Sequence, residues 1–221
     1  MAAAAQGKTN WFAIGISIAV VVVLVVLGVV VVWLNNQATD AGPAPQGDLV
    51  NSETGALTYG DGEDTVAVYI DFMCPICNDF EQQYGAQLQQ AASDGKITLE
   101  YHPIAILDRY SQGTEYSSRA AGAMFCVAEN APDTALGYME SLFTNQPAEN
   151  TTGLDDATLA SMATDVGADA ATSCITDGTY TQFGTAQASA NNIQGTPTVE
   201  INGERLDLQA GDISKLEALL N

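Results

Sequence analysis

The chain has 221 residues, 47% of them hydrophobic, and a formal net charge of −21 at pH 7. So acidic a balance excludes nucleic-acid binding, which needs a basic surface. The length left after a terminal segment is enough for one domain with its own core, and the acidity reads as surface solubility or salt adaptation.

Trp11 to Leu34 contains no charged residue and is dominated by Val, Ile and Leu. Such a run is long enough to cross a bilayer as a helix. A cleaved signal peptide would have a shorter apolar region followed by a small-residue cleavage site, whereas Trp33-Leu34-Asn35-Asn36 follows here. Trp11, Phe12 and Trp33 stand where aromatic rings favour the two interfaces, so a retained anchor is expected. Lys8 precedes the span and Asp40 and Asp48 follow it, which places residues 1–10 in the cytoplasm and the bulk of the protein outside, at the cell membrane. All 27 acidic residues but only five of the six basic ones lie beyond the span.

Residues 35–54 are rich in Asn, Gln, Gly, Pro and Asp and read as an extended linker, leaving 55–221 as the folded domain. Ala56 to Tyr59 suits a short edge strand, and Asp61-Gly62 supplies a turn. Thr65 to Phe72, almost continuously β-branched and aromatic, suits a central strand covered on both faces. After Cys74, apolar residues recur at three- and four-residue steps as far as Asp94-Gly95, predicting one amphipathic helix. Ile97 to His102 alternates as a strand and completes a right-handed β-α-β unit.

Between about 104 and 190 lies a helical insertion, with helix-like stretches near 114–128, 134–144, 155–165 and 180–190. Strand signals return at Thr198–Ile201, an Asn202-Gly203 turn leads into Glu204–Leu206, and a helix around Ile213 to Leu220 ends the chain. This order predicts an α/β fold on a mixed sheet.

The chemistry concentrates at Cys74-Pro75-Ile76-Cys77, just past the end of the central strand and at the first turn of a helix. Pro75 fits the first helical position, where its missing N–H costs nothing. Free N–H groups and the helix dipole there stabilise a Cys74 thiolate and make it a good leaving group, with Cys77 as the more buried resolving partner. Ile76 adds neither charge nor hydrogen-bond donor, so a couple short of the strongest oxidants is expected. Asp71, Asp79 and Glu81 are read as a strand end and a solvated helix face.

A zinc site would want a second close pair, but Cys126 and Cys174 are far apart in sequence; no metal and no cofactor is expected. With Cys74 and Cys77 paired locally, Cys126 and Cys174 are left for a structural bridge inside the insertion. His102, the only histidine, reads as solvated or at the core edge. Asn150-Thr151-Thr152 matches a glycosylation triplet by chance.

Asp71-Phe72-Met73-Cys74-Pro75-Ile76-Cys77, the Gly195-Thr196-Pro197-Thr198 loop and the insertion with its two cysteines resemble the DsbA-like branch of the thioredoxin superfamily. The likeness is to the anchored, acidic members of actinobacterial cell envelopes, and it covers about residues 50 to 221. It implies a thioredoxin fold with an inserted helical subdomain, and a cis Pro197 beside the cysteine pair. Thr196 would offer backbone hydrogen bonds to an extended substrate. It also implies thiol:disulfide oxidoreductase activity that introduces disulfides into exported cysteine-containing polypeptides, with recharging by a quinone-linked membrane partner and a monomeric state. The acid that such proteins bury below the site is replaced by Val68 here. The readings that compete are a reductase or isomerase using the same residues, and an anchored binding domain stapled by two disulfides.

Overall fold

The computed structural model describes residues 21–30 and 41–220. Residues 21–30 are helical and form part of a unit separate from the one that begins at Ala41. Among the described residues no helix is long and apolar enough to cross a membrane. The rest of the expected span (11–20 and 31–34), residues 1–10 and the linker residues 35–40 lie outside the described residues.

Five strands form one sheet in the order β1-β3-β2-β4-β5: β1 (Leu57–Tyr59), β2 (Asp64–Ile70), β3 (Ile97–Pro103), β4 (Thr198–Ile201) and β5 (Glu204–Arg205). Only β2 and β3 run parallel, as a β-α-β unit requires; the other pairs are antiparallel. On the central β2, the fully buried Val66, Val68 and Ile70 join the main core, while Ala67 and Tyr69 join a smaller cluster with Ile104, Ala188 and Ile193. Both faces are covered, which is why the strand reads as an unbroken apolar run.

The helix expected after Cys74 is built in three parts: α1 (Pro75–Phe80), a π-helical turn (Glu81–Gly85) and α2 (Ala86–Ser93). The wider turn keeps Tyr84 and Leu88 on the buried face and sets the Phe80 ring against Tyr84 at a tilt of 42°, with centroids 5.1 Å apart. A periodicity of 3.6 cannot reveal one turn of different pitch.

The insertion comprises α3 (Tyr116–Asn130), α4 (Ala135–Thr144), α5 (Asp156–Asp165), α6 (Thr172–Thr176) and α7 (Thr181–Ala190), and α8 (Ile213–Leu220) ends the described chain. The hub is α3, whose residues from Ala120 to Ala128 are all buried. It packs closely on α7 because both lack side chains at the crossing: a Cβ on Gly122 would sit 2.9 Å from the Thr181 nitrogen, and one on Gly184 2.9 Å from the Ala121 Cβ. The five-residue α6 escapes sequence reading, being too short to display a period. Cys174 on α6 is joined to Cys126 on α3 across 48 residues. A bridge closing so long a loop contributes about 2–4 kcal/mol.

The linker reading needs correction from residue 41 onward. Pro45 and Val50 are buried, Val50 bridges Leu57, and the Thr58 N–H donates to the Leu49 carbonyl at 3.0 Å. The Asn51 side chain accepts from the Glu53 and Thr54 N–H groups and turns the chain into β1. Gly and Pro punctuate this stretch, but Leu49 and Val50 give it enough apolar surface to dock.

Candidate active site

Cys74 is the N-cap of α1 and Pro75 its first residue. The preceding turn is fixed by the backbone, with the Cys74 N–H donating to the Asp71 carbonyl at 2.9 Å. Cys77 follows one step along the helix and is fully buried, whereas Cys74 keeps 6% of its surface open. Both carry free thiols. Ile76 is 58% exposed and forms an apolar rim beside them.

From 122 residues away, the Thr196–Pro197 loop closes over this pair. The Thr196–Pro197 peptide is cis, and the Cys74 thiol donates to the Thr196 carbonyl at 3.3 Å. Next to it lies an apolar groove of about 230 Å³ bounded by Ile76, Phe80, Tyr84, Pro197, Leu208 and Ile213.

The two sulfurs are pushed in opposite directions. A hydrogen bond from the Cys77 side chain is the main influence that lowers the Cys74 thiol to about 6, against the opposing effect of burial. A Thr196 side-chain hydrogen bond and the Cys77 and Ile76 N–H groups add to it. These N–H groups belong to the first turn of the helix, where the Cys77 N–H also donates to the Cys74 carbonyl at 3.1 Å. Burial, reinforced by Cys74, holds Cys77 well above the ordinary thiol range. The anion therefore collects on the sulfur that can be reached.

Of the three carboxylates near the pair in sequence, only Asp79 lies on an exposed helix face. Asp71 stands at the strand end, directly after β2, while the reading of Glu81 as part of a solvated helix face is corrected. Asp71 is fully buried, and its carboxylate accepts from the N–H groups of Met73 (2.9 Å), Ile106 (2.9 Å) and Leu107 (3.0 Å). Burial raises its pKa, and those donors oppose the rise. It ties the turn before Cys74 to the loop after β3. Glu81 accepts from the Tyr101 hydroxyl and the Gln89 amide, each at 3.1 Å, and burial raises it to about 7. Val68 is fully buried in β2.

Sequence reasoning missed Gln146, which lies just beyond α4. Its amide donates to the Phe72 (3.1 Å) and Cys74 (2.9 Å) carbonyls, and its own oxygen receives Asn78 at 3.3 Å. No local pattern marks it, because its partners lie 68 to 74 residues earlier. The Cys126–Cys174 bridge belongs to the insertion. His102 is buried at the core edge, stacked on Tyr69 at 4.2 Å, with Nδ1 3.2 Å from the Thr54 carbonyl and Nε2 3.6 Å from Glu100.

A cysteine pair at a helix start, facing a proline loop on a mixed sheet interrupted by helices, defines the fold of the DsbA-like thiol:disulfide oxidoreductases. Residues 54–221 match the family model described as thioredoxin, and the chain belongs to that family. Crystal structures of DsbA and of DsbG from Mycobacterium tuberculosis are both 29% identical to it. The first superposes with a TM-score of 0.65, covering 75% of this chain and 93% of that one. The second gives 0.64, with 83% and 92% covered. Serine/threonine-protein kinase PknE of Mycobacterium tuberculosis is 36% identical over 137 residues, 60% of this chain but 24% of the kinase. The chain thus spans about a quarter of the length of that curated relative.

Proposed function

We propose that the domain introduces disulfides into cysteine-containing polypeptides outside the cytoplasm, held at the cell membrane by the apolar segment 11–34. The observation that carries this reading is the placement of the Cys74 sulfur at the start of α1, facing the cis Thr196–Pro197 peptide with Cys77 buried one step behind it, where the hydrogen bond from Cys77 lowers the Cys74 pKa. A stabilised thiolate is a good leaving group, and a disulfide containing one passes readily to a substrate.

A substrate thiolate attacks Cys74 of the oxidised pair, forming the substrate–Cys74 bond as the Cys74–Cys77 bond breaks. Cys77, whose high pKa makes its thiolate short-lived, takes up a proton. A second substrate thiol, losing its proton, attacks the substrate sulfur of the mixed disulfide and expels Cys74 as thiolate. The substrate is thereby oxidised by two electrons and the pair reduced by two. A quinone-linked membrane partner accepts those electrons and restores the pair. The apolar groove beside Pro197 suits an unfolded segment, which exposes apolar side chains next to its cysteines.

Reductase or isomerase action uses the same residues at a lower potential. Equilibration of the Cys74–Cys77 couple with glutathione separates the two: a value between about −180 and −120 mV supports oxidation, and one near −270 mV assigns reduction. Cys77→Ala is expected to accumulate mixed disulfides and Cys74→Ala to lose exchange. Full activity in either variant overturns the scheme.

A further inference from the structure

A second groove, of about 590 Å³, opens between the loop after β3 and α7. Its floor is apolar, made by the buried Ala105, Ala188 and Ile193, and its rim is polar, carrying Ser189, Gln194 and Arg109. Both walls lead to the reacting sulfur. Gln194 stands two residues before Thr196, whose carbonyl meets the Cys74 thiol at 3.3 Å, so this end of the rim lies within about 7 Å of chain from that contact. On the other wall, the Asp71 carboxylate holds the Ile106 and Leu107 N–H groups while the Asp71 carbonyl holds the Cys74 N–H. Asp71 thus locks this wall in register with the cysteine pair.

Two charged residues of opposite sign, Asp108 and Arg109, line this groove, and only one of them is engaged by a hydrogen-bond partner among the described residues. Arg119, Arg205 and Lys215 each meet a carboxylate, but among the described residues none pairs with Arg109, whose guanidinium lies over the Tyr110 ring, 4.8 Å from its centre. The adjacent Asp108 is occupied: its carboxylate accepts both the N–H and the hydroxyl of Ser118 and is held toward α3. On so acidic a surface an exposed, unpaired arginine at the edge of a groove is a ready partner for an anion.

We propose that this groove is a second substrate subsite. It would take one flank of the polypeptide chain around the reacting cysteine, with a carboxylate side chain set against Arg109. The inference rests on the oxidoreductase reading and names a substrate class for it. The apolar groove bounded by Pro197 takes the other flank.

The test uses the full-length protein in its oxidised form and dithiol peptides that carry either Glu or Lys two residues from the reacting cysteine on both sides. Oxidation rates are compared with exchange against glutathione, which is too short to fill the groove. Arg109→Glu is expected to lower the Glu-to-Lys rate ratio about threefold at low salt, the effect of one exposed ion pair. Lys96→Glu, the same charge change on an exposed residue at the opposite end of β3, controls for the field of the whole domain. Ser189→Trp, which fills the groove, should lower the peptide rate roughly tenfold more than the glutathione rate, as loss of a binding contact does. The subsite is ruled out if Arg109→Glu shifts the ratio no more than Lys96→Glu and Ser189→Trp slows both reactions alike. Absence of glutathione exchange in the unaltered protein would instead overturn the oxidoreductase reading, and the subsite with it.

Discussion

Two sulfurs of the same residue type, three positions apart, differ because one faces the donors of a helix start and the other faces the core. With Cys74 lowered to about 6, its alkylation in the reduced protein should reach half its maximal rate near that pH, measured with iodoacetamide. Its pKa in the unfolded chain is about 8.5, so the folded value is depressed. The stability this confers on the reduced protein is complete above about 8.5 and is lost as pH falls through about 6. Compared with Cys74→Ser, the reduced protein should therefore gain thermal stability between pH 6 and 8.5. Glu81 has the opposite sign. Raised by burial to about 7, it favours the folded state below the ordinary carboxylate range, and that advantage fades as pH rises through 7. Glu81→Gln keeps an acceptor for Tyr101 and should flatten the melting temperature between pH 4.5 and 7.

Elements bring these residues together at distances the chain does not advertise. The strand–helix junction at 70–77 supplies the thiols, the loop before β4 supplies Thr196, and the segment just after α4 supplies Gln146. The insertion is therefore part of the site's support, and its own brace can be tested. Replacing Cys126 and Cys174 together by Ala should lower unfolding free energy by about 2–4 kcal/mol in denaturant titrations, while Cys74 still exchanges with glutathione. Loss of exchange with the fold retained would make this pair a participant in the redox chemistry.

For the whole molecule the dominant long-range term is charge. A net −21 carried almost wholly by one domain repels itself, and added salt screens that repulsion over roughly 10 Å at 0.1 M. The melting temperature should accordingly rise between low salt and 0.5 M sodium chloride. Where stacked pairs such as Tyr69 and His102, rather than charges, hold an element, no comparable salt effect is expected.

The cysteine pair, its seat at a helix start, the central strand and the mixed α/β order were legible in the sequence because each is written in consecutive residues, as a motif or a period. Docking of residues 41–54, the π-helical turn, and the burial of Asp71 and Glu81 were not. Those depend on partners such as Leu57, Tyr101 and Ile106, which only folding brings near, and a carboxylate reads the same in sequence whether water or three backbone N–H groups surround it. The amino-acid order placed two thiols three positions apart at a helix start. Tertiary structure decided how acidic they are and what reaches them, because both follow from burial and from hydrogen bonds that join distant segments.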